Sequence, residues 1–129
     1  ELIVMNLNNT VQKSRDAFTN QLKTFSGIED VTYAEVLLSS SDQYMGWTRT
    51  YKNKNIGFQC LPVDVSFLKV MGIDVSEGRN FREEDKNTVN GVYIFNEKAR
   101  GQYELEIGEK VENGEGLFPT SSLLLSALK

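Results

Sequence analysis

The stretch LPVDVSFLKVMGI, residues 61–73, decides how the sequence divides into elements. Its second half predicts a short helix from Phe67 to Met71, because these two apolar side chains are one helical turn apart. Ser66 has the type of side chain that caps a helix N-terminus. Gly72 tolerates the left-handed conformation in which many helices end. We therefore expect a short helix that buries both Phe67 and Met71.

The residues before this helix predict a β-hairpin. A strand at 47–51 and a strand at 56–65 flank the polar turn 52–55, whose Lys and Asn residues are typical of turns. Within the second strand, Phe58 and Cys60 share one face, whereas the next apolar residues fall on the other. This change of parity predicts a bulge or a strand buried on both faces.

The N-terminal part predicts a helix followed by a strand. Between residues 11 and 25 the apolar side chains share one helical face: Val11, Phe18, Leu22 and Phe25. The polar residues 8–10 offer N-caps, and Gly27 offers a stop. Residues 28–38, rich in β-prone side chains, predict the strand.

Downstream, residues 92–95 are apolar without alternation, which predicts a central strand. Asn96 is placed to cap a second helix, and residues 107–111 predict a last short strand. The order of elements is typical of an α+β protein. We expect a mixed β-sheet packed with two main helices and one short helix, in a layer sandwich.

Composition narrows the classes of function. With 129 residues the chain suits one domain, which we place at 1–129. Its 14 Lys and Arg residues against 18 Asp and Glu residues make it acidic, so we expect no nucleic-acid partner. Histidine is absent from the sequence, which excludes His-based catalytic and zinc sites.

The other candidate chemical groups favour no enzyme, metal or cofactor. The acidic run at 83–85 lacks the spacing of a calcium loop and is interpreted as a solvated loop. Cys60 has no histidine to activate it and is interpreted as a small apolar residue of a strand. No phosphate-binding glycine motif occurs.

Tyr44, Met45 and Trp47 form the most suggestive candidate for a partner-binding patch. Aromatic residues and Met are enriched in protein interfaces, and these three follow a serine-rich loop. The interpretation that the sequence favours over this patch is that Met45 and Trp47 fill the core.

An ordered set of motifs adds a family resemblance. The stretch 61–73, with EGRNF at 77–81 and EED at 83–85, is similar to a signature of the MacB-like periplasmic core domain. That domain belongs to the MacB/FtsX-type ABC transporter permeases. VYIFNEKAR at 92–100 and IGEKV at 107–111 resemble the motifs that follow in the family.

Upstream, residues 22–32 resemble the family's passage from helix to strand, so the similarity covers about 15–111. Three places depart from the pattern. Ser26 stands where the family has proline, the segment 101–106 is short, and the tail 112–129 has no counterpart and is left unplaced.

The resemblance implies a porter-like subdomain in the extracytoplasmic, periplasmic part of a bacterial inner-membrane protein. Such a domain has no catalytic activity; it transmits ATP-driven movement and contacts substrate or partner proteins. The implied partners are the remainder of the permease, its ATPase domain, and an adaptor or substrate protein. The isolated fragment is expected to be a monomer and the parent transporter a dimer.

Two hypotheses of function remain open on these residues. The first is this transporter domain, in which residues 2–7 would lead in from the first membrane helix; the apolar run at 2–5 is itself too short to span a membrane. The second is a stand-alone soluble α+β binding module. A hydrophobic span before residue 1 in the parent gene would favour the first.

Overall fold

The structure is a computed structural model that describes residues 1–35, 45–88, 91–113 and 121–128. It divides into two compact units, Glu1–Val31 and Thr32–Lys129. The first unit contains two helices, and the second contains the β-sheet and the buried core.

The first unit contains helices α1 (Asn9–Lys13) and α2 (Arg15–Leu22). The prediction of one continuous helix over residues 11–25 is therefore wrong in its extent. Ser14 interrupts it with a backbone outside the helical region, φ −125° and ψ 34°. The predicted polar cap is confirmed, because the Asn8 side chain accepts a hydrogen bond from the Val11 N–H at 3.0 Å.

The strand predicted at 28–38 is wrong in its described part. Residues 28–35 form no strand, and only a single antiparallel bridge joins Ala34 to Val63. The Asp30 side chain accepts from the Val31 N–H at 2.9 Å, so a local hydrogen bond competes with strand pairing there. Residues 36–38 lie outside the described residues.

The predicted hairpin is confirmed. Strands β1 (Met45–Tyr51) and β2 (Lys54–Cys60) pair antiparallel, with Trp47 opposite Phe58. Lys52 and Asn53 have φ of 46° and 62°, as the two central residues of a type I′ turn require. The strand β2 ends at Cys60, so the change of parity beyond it marks the end of the strand rather than a bulge.

The short helix α3 (Phe67–Val70) is also confirmed, and Gly72 follows it at φ 66°. Phe67 is buried, but Met71 is only half-buried, so its predicted burial is wrong. Leu68 is buried instead.

Ser66 does not cap α3 with its side chain, contrary to the prediction. Its hydroxyl donates to the Asp64 carboxylate at 3.2 Å. The helix begins through the backbone, where the Phe67 N–H donates to the Asp64 carbonyl at 3.0 Å.

One mixed sheet contains all the strands that the structure describes. After the hairpin come β3 (Val75–Gly78), β4 (Val92–Asn96), β5 (Lys110–Asn113) and β6 (Ser121–Leu128). The strand order is β2-β1-β5-β6-β3, and β4 pairs with β6. The β4–β6 pair is parallel, whereas the other pairs are antiparallel. With helix α4 (Glu97–Tyr103), the α+β class is confirmed.

Two predictions about the strands after residue 90 are corrected. Among the described strands, β4 pairs with β6 alone, so its apolar run does not mark a central position. The strand predicted at 107–111 lies at Lys110–Asn113 and is not the last, because β6 follows it. The segment left unplaced in the sequence therefore contains a strand, while residues 114–120 and 129 lie outside the described part.

The core lies between the hairpin and the chain around α4. Asn96 caps α4 as predicted, accepting from the Ala99 N–H at 2.9 Å. Tyr103 of α4 donates its hydroxyl to the Gly57 carbonyl of β2 at 2.5 Å. The buried residues of this core cluster are Tyr51, Ile56, Phe95, Leu105 and Val111.

Candidate functional site

The structure describes the side chain of one of the three predicted contact residues. Trp47 lies on β1 and is half-buried. Met45 begins β1 and pairs through its backbone with Cys60. Tyr44 lies outside the described residues. The patch of three residues therefore stays a prediction.

Trp47 belongs to a cluster of four aromatic rings, which we call the aromatic strip: Trp47, Phe58, Tyr93 and Phe95. The ring centroids of Trp47 and Tyr93 are 6.2 Å apart, edge to face. Phe58 is 5.7 Å from Tyr93 and 4.8 Å from Phe95, also edge to face. Such pairs stabilise beyond the area they bury. The strip leads from buried Phe95 out to half-buried Trp47.

Arg49 covers the outer end of the aromatic strip. Its Cζ lies 4.4 Å from the centroid of the Trp47 ring, within the range of a cation–π contact. Its Nε donates to the Tyr93 hydroxyl at 2.9 Å, and its Nη1 donates to the Thr48 carbonyl at 2.8 Å. We call Trp47, Arg49 and Tyr93 the Arg49 platform.

Part of the Arg49 platform can be recognised from the sequence. Side chains two residues apart on a strand share a face, so Trp47 and Arg49 in the run WTR are neighbours on β1. Tyr93 lies 44 residues after Arg49, and only the fold of the sheet brings it into contact. The sequence pattern predicted a contact role for Trp47 but none for Arg49 or Tyr93.

Cys60, at the end of β2, is half-buried. Burial raises the pKa of its thiol, and the nearby Arg49 charge opposes this rise only in part. A thiol with a raised pKa forms little thiolate at neutral pH. The arrangement does not favour a nucleophile.

The acidic run at 83–85 is solvated at Glu83 and Glu84, as interpreted from the sequence, but not at Asp85. It begins a 3₁₀ helix, Glu83–Asn87. The Asp85 carboxylate accepts two hydrogen bonds from the Arg79 guanidinium, both at 2.9 Å, and one from the Arg82 N–H at 2.7 Å. The Asp85 side chain is only 9% exposed. Arg79 and Asp85 thus join the EGRNF and EED parts of the signature.

This ion pair predicts a loss of stability on neutralisation. We expect Asp85→Asn to lower the free energy of unfolding at pH 7 by about 1.5–3 kcal/mol, since it removes hydrogen bonds to charged groups. Urea denaturation measures the change. The matched control is Glu83→Gln, whose side chain is 76% exposed and whose effect should stay below about 0.5 kcal/mol.

The same pair predicts a pH dependence. The hydrogen bond from Arg79, helped by the Arg82 N–H, lowers the pKa of Asp85 below its ordinary value of 3.8. The unfolded chain therefore takes up this proton at a higher pH than the folded chain. The stability difference between the parent and Asp85→Asn should be full above about pH 5 and shrink as the pH falls below the ordinary pKa. A difference that grew in acid would contradict the assigned pair.

The described residues offer few other sites. Within them, no three His, Cys, Asp or Glu side chains come together in a way that could hold a metal ion. In the same part of the chain, no helix has the length and apolar character needed to cross a membrane.

Comparison with known proteins identifies a similar fold. No family model matches the sequence, and no curated protein matches it. The structure is similar, at a TM-score of 0.63, to the crystal structure of the periplasmic region of MacB from Actinobacillus actinomycetemcomitans. The two sequences are 17% identical. The chain has a MacB-like fold.

The extent of the match differs between the two chains. It covers 95% of this chain but 56% of the MacB periplasmic region. The chain thus spans about half the length of the structure that it matches.

Proposed function

We propose that the chain is the extracytoplasmic domain, or a fragment of it, of an ABC transporter permease of the MacB type. One observation carries the proposal. Motifs in the order of the MacB-like signature occur in a chain whose fold is similar to a MacB periplasmic region over 95% of its length. In this role the domain belongs to a bacterial inner-membrane protein, on its periplasmic side.

The signature residues support a structural role within such a domain. Phe67 is buried at the start of α3, Gly72 ends that helix, and Arg79 binds Asp85 across the turn-rich segment. These contacts hold elements together. In the proposed role the domain transmits movement and contacts other proteins, and it has no catalytic activity of its own.

The proposed partners follow from this role. ATP hydrolysis in a separate cytoplasmic domain moves the membrane helices, and these move the periplasmic domain. The remainder of the permease, its ATPase domain and an adaptor or substrate protein are the partners. The parent transporter is a dimer, and Tyr44, Met45 and Trp47 are the proposed contact residues.

The test replaces Tyr44, Met45 and Trp47 together by alanine in the intact transporter. Each aromatic or Met anchor of an interface can contribute more than about 2 kcal/mol, so we expect coupled transport to fall by at least about 30-fold. Basal ATP hydrolysis should persist, because its site is made elsewhere. The matched control is Thr48→Ala with Gln59→Ala, on the exposed face of the hairpin. Transport should not respond to it.

Two results would overturn the proposed function. Transport could persist when the domain is deleted, or the isolated domain could turn over a substrate. The parent gene offers an independent check: we expect a hydrophobic span of about 20 residues before residue 1. A gene without that span favours the stand-alone binding module.

A further inference from the structure

Among the described residues, the cation of Arg49 has no acidic partner. Elsewhere in that part of the chain, Arg79 binds Asp85 and Arg100 binds Glu77. Arg49 instead contacts an indole ring, a phenol and a backbone carbonyl, and no carboxylate of the described residues lies within ion-pair distance. A partly buried charge without a counter-charge carries a desolvation cost that a bound anion offsets.

The guanidinium is also fixed in orientation. Its Cζ lies over the ring of Trp47, and Nε and one N–H of Nη1 donate to the Tyr93 hydroxyl and the Thr48 carbonyl. The other N–H of Nη1 and those of Nη2 have no acceptor among the described residues. Two parallel N–H groups of an arginine match the two oxygens of a carboxylate. Holding the side chain in advance reduces the entropy lost on binding.

The surroundings select the kind of molecule that supplies the carboxylate. The platform is partly exposed on a sheet, and a single ion pair at such a place contributes little. Useful affinity needs further contacts, which the half-buried rings of Trp47 and Tyr93 offer to an apolar side chain. A peptide segment with an acidic residue next to an apolar or aromatic residue provides both.

We infer that the Arg49 platform, formed by Trp47, Arg49 and Tyr93, binds an acidic peptide segment of a partner protein, with the carboxylate on the Arg49 guanidinium. The inference rests on the proposed function for the existence of a partner protein. It adds where that partner binds and what its chemistry is.

Binding can be followed by tryptophan fluorescence at the site itself, because Trp47 is the single tryptophan of the sequence. The chain of residues 1–129 is titrated with the blocked peptide acetyl-Glu-Phe-Glu-amide up to about 1 mM. We expect a saturable change in Trp47 emission. The matched peptide acetyl-Gln-Phe-Gln-amide should bind at least about 10-fold more weakly, since it lacks the charge that strengthens the hydrogen bonds.

Variants then distinguish binding at the Arg49 platform from nonspecific attraction to positive charge. Arg49→Gln should abolish the response. Arg49→Lys keeps the charge but loses the planar fork, and should weaken binding about 10-fold. Lys54→Gln removes an exposed cation from the same hairpin and should leave binding unchanged. Thermal melts followed by circular dichroism report whether each variant is folded, and Arg49→Lys remains informative if Arg49→Gln is not.

Each opposing result overturns the inference. An absent response, equal binding of the two peptides, or an unchanged affinity of Arg49→Lys rejects a carboxylate on Arg49. If acetate produces the same change at the same concentration, the ligand is a small carboxylate and not a peptide. An emission that shifts with protein concentration alone indicates a second copy of the chain. The transport assay of the proposed function depends on none of these titrations, so the two failures are distinguishable.

Discussion

Replacing Phe67 by alanine is expected to lower the free energy of unfolding by about 3–5 kcal/mol. The ring is 6% exposed at the start of α3. Its loss removes the transfer free energy of a buried aromatic side chain and leaves a cavity that the surrounding chain fills only in part. The midpoint and slope of urea denaturation measure the effect.

The control for Phe67 comes from the same stretch. Ile73, just after α3, is 38% exposed, so Ile73→Ala should cost no more than about 1 kcal/mol. If Phe67→Ala unfolds at the same urea concentration as the parent, α3 is not packed as described, and the resemblance of residues 61–73 to the family signature does not hold.

Phe95→Ala should have an effect of similar size, about 3–5 kcal/mol, and should also change the aromatic strip. Phe95 is 6% exposed, and its ring centroid lies 4.8 Å from that of Phe58 and 5.7 Å from that of Tyr93. Removing the ring eliminates its contact with Tyr93, and Trp47 packs against Tyr93. We therefore expect the emission of Trp47 to shift toward that of a more solvated indole, in addition to the loss of stability.

A conservative variant tests whether ring contacts or volume matter at this position. Phe95→Leu retains most of the apolar volume but loses the edge-to-face contact with Phe58 and the tilted contact with Tyr93, so it should cost about 1.5 kcal/mol or less. Its Trp47 emission should remain close to that of the parent. If Phe95→Ala also left the Trp47 emission unchanged, the aromatic strip would not connect the core to Trp47.

The correct predictions of local structure rest on side chains that act on nearby backbone. Asn8 and Asn96 each cap a helix by accepting from the N–H three residues on. Gly72 ends α3 at positive φ, and the Lys52-Asn53 turn forms the predicted hairpin. A few adjacent residues contain all the interactions involved, so the pattern of the sequence was sufficient.

The wrong predictions concern elements whose state depends on distant partners. The β-prone segment 28–38 forms no strand in its described part, because β-propensity stabilises a strand only where another strand pairs with it. The apolar run of β4 suggested a central strand, yet β4 pairs with β6 alone among the described strands. No local pattern in the sequence indicates that pairing.

By itself, the sequence determined the α+β class, the hairpin, the helices at 67–70 and 97–103, and the resemblance that agrees with the MacB-like fold. Hydrophobic periodicity and helix capping depend on neighbouring residues, and the family motifs can be recognised by their order in the sequence. The tertiary structure alone decided the parallel pairing of β4 with β6 and the contact of Arg49 with Tyr93 across 44 residues. Such contacts depend on which strands come together in the sheet, because a contact between distant residues costs loop-closure entropy that strand pairing and packing must offset.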